Sequence, residues 1–168
     1  MIFKEGKDIA FITTGVMAQV ALEASNRLEE EGFNIKVIHG DINDLDLVDK
    51  LMNQVDYVVN FAAESHVDNS ILDINPFLTT NIFGVATLLQ AAMKNDIRRF
   101  VQISTDEVYG SINNGYFVET DILNPRNPYS ASKASAEFIC NSFKNTYGLD
   151  VIITRSCNNY GPYQQFEK

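Results

Sequence analysis

Tyr129 and Lys133 stand four residues apart in a stretch of helical patterning, so a phenol and an ammonium project from one face about one turn apart. An isolated phenol has a pKa of about 10, and a neighbouring cation favours its ionised form, so such a pair can accept a proton nearer neutrality. The same spacing also suits an ordinary amphipathic helix with a Tyr and a Lys on its surface. A second group lies in Ser104-Thr105-Asp106-Glu107-Val108-Tyr109-Gly110, which supplies a hydroxyl and two adjacent carboxyl groups. Neighbours on a regular strand face opposite ways, so Asp106 and Glu107 can meet one ligand only if the strand stops there. Two carboxyls in one pocket tend to hold different protonation states, one serving as acid and the other as base. A polar loop after a strand is the plainer account of the same residues. Together the two groups are an inventory for moving protons and a hydride.

Alternating strands and helices position these groups. Residues 8–15, 34–39, 56–61, 99–104 and 150–155 read as strands, each apolar and bounded by polar residues or glycine. Residues 16–31, a stretch running through Gln54 and capped by Asn43 or Asp44, 75–95 and 129–147 read as helices, with Gly32 and Gly148 as stops. Residues 62–68 read as a loop, and 111–128 as a polar excursion rich in Asn, Gly and Pro. This alternation predicts an α/β fold, Rossmann-like and doubly wound, with a mostly parallel sheet in one compact domain. Ligands of such sheets bind in the crevice outside the carboxyl ends of the strands, which is where Ser104 to Glu107 would lie.

The chain of 168 residues is long enough for one domain with a substantial core. Its formal charge of -9 argues against nucleic acid or an anionic membrane as partner, because both would be repelled at long range. No uninterrupted apolar run reaches the roughly 20 residues of a membrane span, and the first residues lack the order of a secretory signal, so a cytoplasmic location is expected. Cys140 and Cys157 lack metal-ligand or CxxC spacing and read as structural thiols. His39 and His66 are lone histidines, and no metal site is expected.

From about Gly40 onward the chain resembles the extended short-chain dehydrogenase/reductases, and within them the dTDP-glucose 4,6-dehydratases of the NAD-dependent epimerase/dehydratase family. The matching pieces are Gly40-Asp41-Ile42, Phe61 through Asp68, Thr80-Asn81, Ser104 through Gly110, Pro128 through Lys133, and Asn158-Asn159-Tyr160-Gly161-Pro162-Tyr163. The resemblance implies that NAD is the cofactor and a nucleotide sugar the substrate, with Asp41 and Ile42 at the adenine. Ala62, Ala63, Glu64 and Ser65 would line the cleft, Ser65 also facing substrate, and Thr80 would hold a cofactor group. Tyr129 would take the sugar 4-hydroxyl proton as hydride leaves C4, Lys133 would bind the nicotinamide ribose and favour the phenolate, and Thr105 would bond the 4-oxygen. Glu107 would remove the C5 proton while Asp106 protonates the departing C6 hydroxyl, and hydride would return to C6. Asn158 would touch substrate and Asn159 the cofactor. Relatives often pair as homodimers through helices equivalent to 75–95 and 129–147.

The first 38 residues depart from that pattern and form a strand-helix-strand segment preceding a family core at 39–168. The first turn, Thr13-Thr14-Gly15-Val16-Met17-Ala18-Gln19, has one glycine where a dinucleotide turn needs several, and Val16, Met17 and Gln19 are expected to stand where the pyrophosphate should lie. Residues 5–38 are instead similar to the opening of a transketolase C-terminal domain, on Gly6-Lys7-Asp8-Ile9 and Thr14-Gly15. The chain stops at Gln164 to Lys168, where the family enters its sugar-nucleotide domain, so a truncated fold is expected. A catalytically silent Rossmann-like fragment and a nucleotide-sugar epimerase remain as alternatives.

Overall fold

The computed structural model describes residues 1–161, and its strands form two three-stranded sheets. In the first, β1 (Ile2–Lys4) runs antiparallel to β3 (Ile35–His39), and β2 (Ile9–Thr13) runs parallel to β3 on its other side. The second is wholly parallel, with β5 (Arg99–Thr105) between β4 (Tyr57–Asn60) and β6 (Val151–Ser156). Helices fill the connections: α1 (Met17–Glu30) follows β2, α2 (Leu45–Met52) follows β3, α3 (Val67–Leu72) and α4 (Asn75–Lys94) follow β4, and α5 (Pro128–Tyr147) joins β5 to β6. The Rossmann-like α/β class therefore holds. The strand β1 has no counterpart in the sequence reading, because three residues give too little alternation to register.

Local chemistry explains the boundaries. Asp44 caps α2 by accepting from Leu47 N–H at 3.1 Å, which settles the choice between Asn43 and Asp44. Asn127 and Ser130 form a reciprocal capping box at the start of α5, Pro128 takes the first turn, and Gly148 closes the helix at φ 73°. The loop expected over 62–68 is shorter, because α3 starts at Val67. Its six residues have no side-chain cap, and the Ser70 hydroxyl bonds both Val67 O and Tyr129 N–H, so a contact to α5 helps hold the helix.

The core lies between one face of the parallel sheet and helices α2, α4 and α5. Val58, Phe100 and Val151 are aligned across β4, β5 and β6, and they pack with Leu89, Val48 and Cys140. On the opposite sheet face Tyr57, Val59 and Ile152 remain exposed. Helix α4 is long and apolar enough by length and composition to cross a bilayer, yet here it packs against α2 and α5. Its middle, Leu78–Gly84, is π-helical, a local widening the periodicity of 75–95 does not reveal. Gly84 closes that segment where a Cβ would overlap the Ile42 side chain.

Cys140 is fully buried and Cys157 exposed. Burial, reinforced by Glu137, pushes the Cys140 thiol up to about 12. The folded protein is accordingly expected to yield one reactive thiol to a small aromatic disulfide reagent at about pH 8, and the second only in denaturant. Two fast equivalents in the native state would contradict this core.

Candidate active site

The side chains singled out in the sequence come together because β5 ends at Thr105. That residue caps a single 3-10 turn, Asp106–Tyr109, by accepting from Glu107 N–H at 3.3 Å, and the turn carries both carboxylates out of strand alternation. Thr105 Oγ1 also donates to Asp106 Oδ1 at 3.4 Å. Asn127 Nδ2, from the cap of α5, donates to Glu107 Oε2 at 3.4 Å, so the start of the helix and the tip of the strand are held together at the carboxylate. Tyr129 follows two residues later and is 8% exposed, with its ring edge-on to Phe77 at 6.4 Å.

The electrostatics of Tyr129 differ from the expected picture. Burial raises the phenol pKa above its usual value, the charges of Glu107 and Asp106 raise it further, and only a hydrogen bond with Thr105 opposes them. Lys133 is not what governs the phenol. Its Nζ donates to Ile103 O at 2.7 Å, and burial lowers its own pKa to about 8 against the opposing charge of Glu137. The phenol's hold on its proton is thus strengthened, within electrostatic reach of the very carboxylates that the sequence assigned to a second proton transfer.

The segment that follows β4 is tied to β5, α4 and α5 by buried amides. Ala62 N–H donates to Asn60 Oδ1 at 3.1 Å, Asn60 Nδ2 donates to Gln102 Oε1 at 3.0 Å, and Gln102 Nε2 donates to Ile103 O at 3.2 Å. A chain of amides therefore links this segment to the carbonyl that holds Lys133. Asn81, buried in the π-helical segment beside half-buried Thr80, pairs with the Glu64 backbone both ways at 2.9 Å and donates to Ser132 Oγ at 2.8 Å. Ala63 and Ser65 are half-buried in the same loop. His66 ends that loop with both ring nitrogens buried and without a hydrogen-bond partner among the described residues.

Other expected site residues lie further out. Asp41 is exposed and its carboxylate accepts from Asn43 N–H and Nδ2, while Ile42 packs on the core. Asn158 and Asn159 are exposed beyond the end of β6 and make no hydrogen bond to the Tyr129 cluster. Pro162 and Tyr163 of the last matching piece fall outside the described residues. Asn60, Ser70, Gln102, Asn127 and Glu137 were not anticipated. Of these, only Asn127 carried a local signal, as a cap before Pro128; the others are polar residues whose burial depends on distant partners.

A family model described as GDP-mannose 4,6 dehydratase matches residues 6–168. The chain belongs to the GDP-mannose 4,6-dehydratase family. Within reach of that family lies the low-salt glycan biosynthesis protein Agl12 of Haloferax volcanii, 56% identical over 135 residues, 80% of this chain and 44% of Agl12. A dTDP-glucose 4,6-dehydratase of Streptomyces antibioticus is 51% identical over 134 residues, 80% of this chain and 40% of that protein. DesIV, a dTDP-glucose 4,6-dehydratase from Streptomyces venezuelae solved with NAD and TYD bound, matches with a TM-score of 0.86 at 43% identity, over 98% of this chain and 50% of that one. The chain thus spans less than half of the length of the two curated relatives and half of DesIV.

Two measurements check the family site as built. Asn81→Ala leaves the Glu64 backbone groups and Ser132 without their partner, and is expected to cost about 2 kcal/mol in urea unfolding; a cost near zero would mean the cleft loop is held by something else. For Lys133 the folded pKa of about 8 lies below the ordinary 10.5, so between these values the unfolded chain binds the extra proton. Wild type should therefore gain stability relative to Lys133→Met as pH rises through that window, and a falling difference would refute the burial of the ammonium.

Proposed function

We propose that this chain carries the catalytic half of an NAD-dependent sugar-nucleotide 4,6-dehydratase, converting dTDP-glucose to dTDP-4-keto-6-deoxyglucose. The observation that carries the reading is the meeting of Thr105, Asp106 and Glu107 with Tyr129 at the end of β5, since an epimerase acting at C4 has no use for the two carboxylates. The 4,6-dehydratase names of relatives at about half identity support the same choice.

The residues present suit a nicotinamide dinucleotide. Lys133 offers a buried ammonium beside Tyr129, and the N-terminus of α1 has no side-chain cap, which leaves backbone N–H groups for a phosphate. Gly15, at φ 55°, has open space on its Cβ side. Val16 and Met17 are 86% and 56% exposed, so neither is packed into the turn. When bound, the nicotinamide would supply hydride acceptance from the sugar C4 and, after water is lost, return of that hydride to C6, with a proton going back to C5 to complete the 4-keto-6-deoxy product.

The chain's own residues do the rest. Tyr129 takes the proton of the 4-hydroxyl while Thr105 bonds the same oxygen. The ketone at C4 acidifies the C5 proton, which Glu107 removes, and Asp106 protonates the leaving C6 hydroxyl. Lys133 holds the nicotinamide ribose. Asp41 and Ile42 flank the adenine, Ala62, Ala63, Glu64, Ser65 and Thr80 line the cleft, Asn158 meets substrate and Asn159 the cofactor. Residues 1–38 form a segment set apart from the core at 39–168, and a cytoplasmic homodimer through α4 and α5 completes the proposal.

With NAD and dTDP-glucose supplied, wild type should form the 4-keto-6-deoxy sugar and Tyr129→Phe should lose at least about a hundredfold in rate. Undiminished product in that variant would remove Tyr129 as the base. Calorimetric titration with NAD should give sub-millimolar binding; no heat at millimolar cofactor would instead favour the silent fragment.

A further inference from the structure

Glu137 lies one turn beyond Lys133 on α5, and its side chain is fully buried. Arg155 of β6 grips it with Nη2 2.6 Å from Oε2 and Nε 3.0 Å from Oε2 and 3.2 Å from Oε1. Ser104 Oγ donates to the other side of the carboxylate, 2.5 Å from Oε1. Ser104 and Arg155 are also paired in the β5–β6 register, so the carboxylate spans two adjacent strand ends. Arg155 continues past it: Nη1 bonds Tyr109 Oη at 2.5 Å and Glu119 O at 3.0 Å, with the guanidinium 4.8 Å from the Tyr109 ring centre.

These contacts bracket the reactive tip. Ser104 immediately precedes Thr105, and Tyr109 closes the 3-10 turn that carries Asp106 and Glu107. The carboxylate thus holds one side of the tip directly, through Ser104, and the other through Arg155, while riding the helix that carries Tyr129 and Lys133. A buried ion pair is weak grounds for stability, since its desolvation offsets much of its attraction, so the arrangement asks for another use.

We propose that Glu137 is a positioning residue: its carboxylate, gripped by Arg155 and bonded by Ser104, fixes the Ser104–Glu107 tip against the face of α5 that carries Tyr129 and, one turn before Glu137, Lys133. The role rests on the dehydratase reading for its purpose, but its test needs no turnover. The charged and titratable groups acting on Lys133 are Glu137 and Cys140 on its own helix, with Arg155 reaching Glu137 from β6 and Ile103 O accepting from Nζ.

The full chain is labelled with nitrogen-15, and the Nζ resonance of Lys133, assigned through Lys133→Arg, is followed against pH. Wild type should titrate near 8. Glu137→Gln should lower that midpoint by about one unit, because an opposite charge nearby is lost while burial remains. Glu137→Asp keeps the charge and withdraws the oxygen from Ser104, so it should hold the midpoint close to wild type while shifting the amide resonances of Thr105 to Glu107. A folded Glu137→Gln titrating at or above the wild-type midpoint overturns the electrostatic coupling of this carboxylate to Lys133, and unmoved 105–107 amides in Glu137→Asp overturn the positioning. If Glu137→Gln does not fold, the Asp variant decides. Absence of product in the sugar assay would leave these resonances where they are, so the two readings fail separately.

Discussion

The bond from Lys133 Nζ to the Ile103 carbonyl, 2.7 Å long and nearly out of reach of water, sets the terms for everything around it. An ammonium removed from solvent loses several kcal/mol of hydration and is tolerated only where an acceptor and a counter-charge wait for it. The acceptor lies two residues before the end of β5, and Gln102 donates to the same carbonyl. The bond thus ties α5 to β5 one turn beyond Tyr129, which lies within reach of Thr105 and Glu107.

The acid-base character of the pocket follows from what surrounds the phenol. Carboxylates, not a cation, dominate its field, and burial acts in the same direction. A phenol in that setting gives up its proton reluctantly until something cationic or strongly polarising enters. In the free protein, burial and the neighbouring carboxylates together hold the phenol pKa above its ordinary value.

Much of this was legible from residue order. Strand-helix alternation located β5 and α5 to within one or two residues, because long periodic stretches and a Gly148 stop are local signals. The convergence of Asp106 and Glu107 was readable as a condition, that the strand must end, and Thr105 satisfies it. What stayed hidden was non-local. Nothing near Glu137 announces that Arg155 will neutralise it, nothing in 78–84 announces a π-helical widening that points Asn81 at Glu64, and α3 takes part of its support from Tyr129 N–H, a partner far along the chain. The field at Tyr129 has the same source: spacing along a helix shows which groups share a face, not which charges lie near them in space.

Asn60 and Gln102 sit opposite each other in β4 and β5 with their amides bonded and buried. Sliding one strand by a single position would set each amide against an aliphatic neighbour, Val101 or Ile103 on one side and Val59 on the other, and strand both in an environment without water. Apolar alternation alone tolerates such misalignment poorly but not absolutely; a lone amide couple tolerates it far less. The pair therefore penalises a slipped β4–β5 register more sharply than the aliphatic residues around it do.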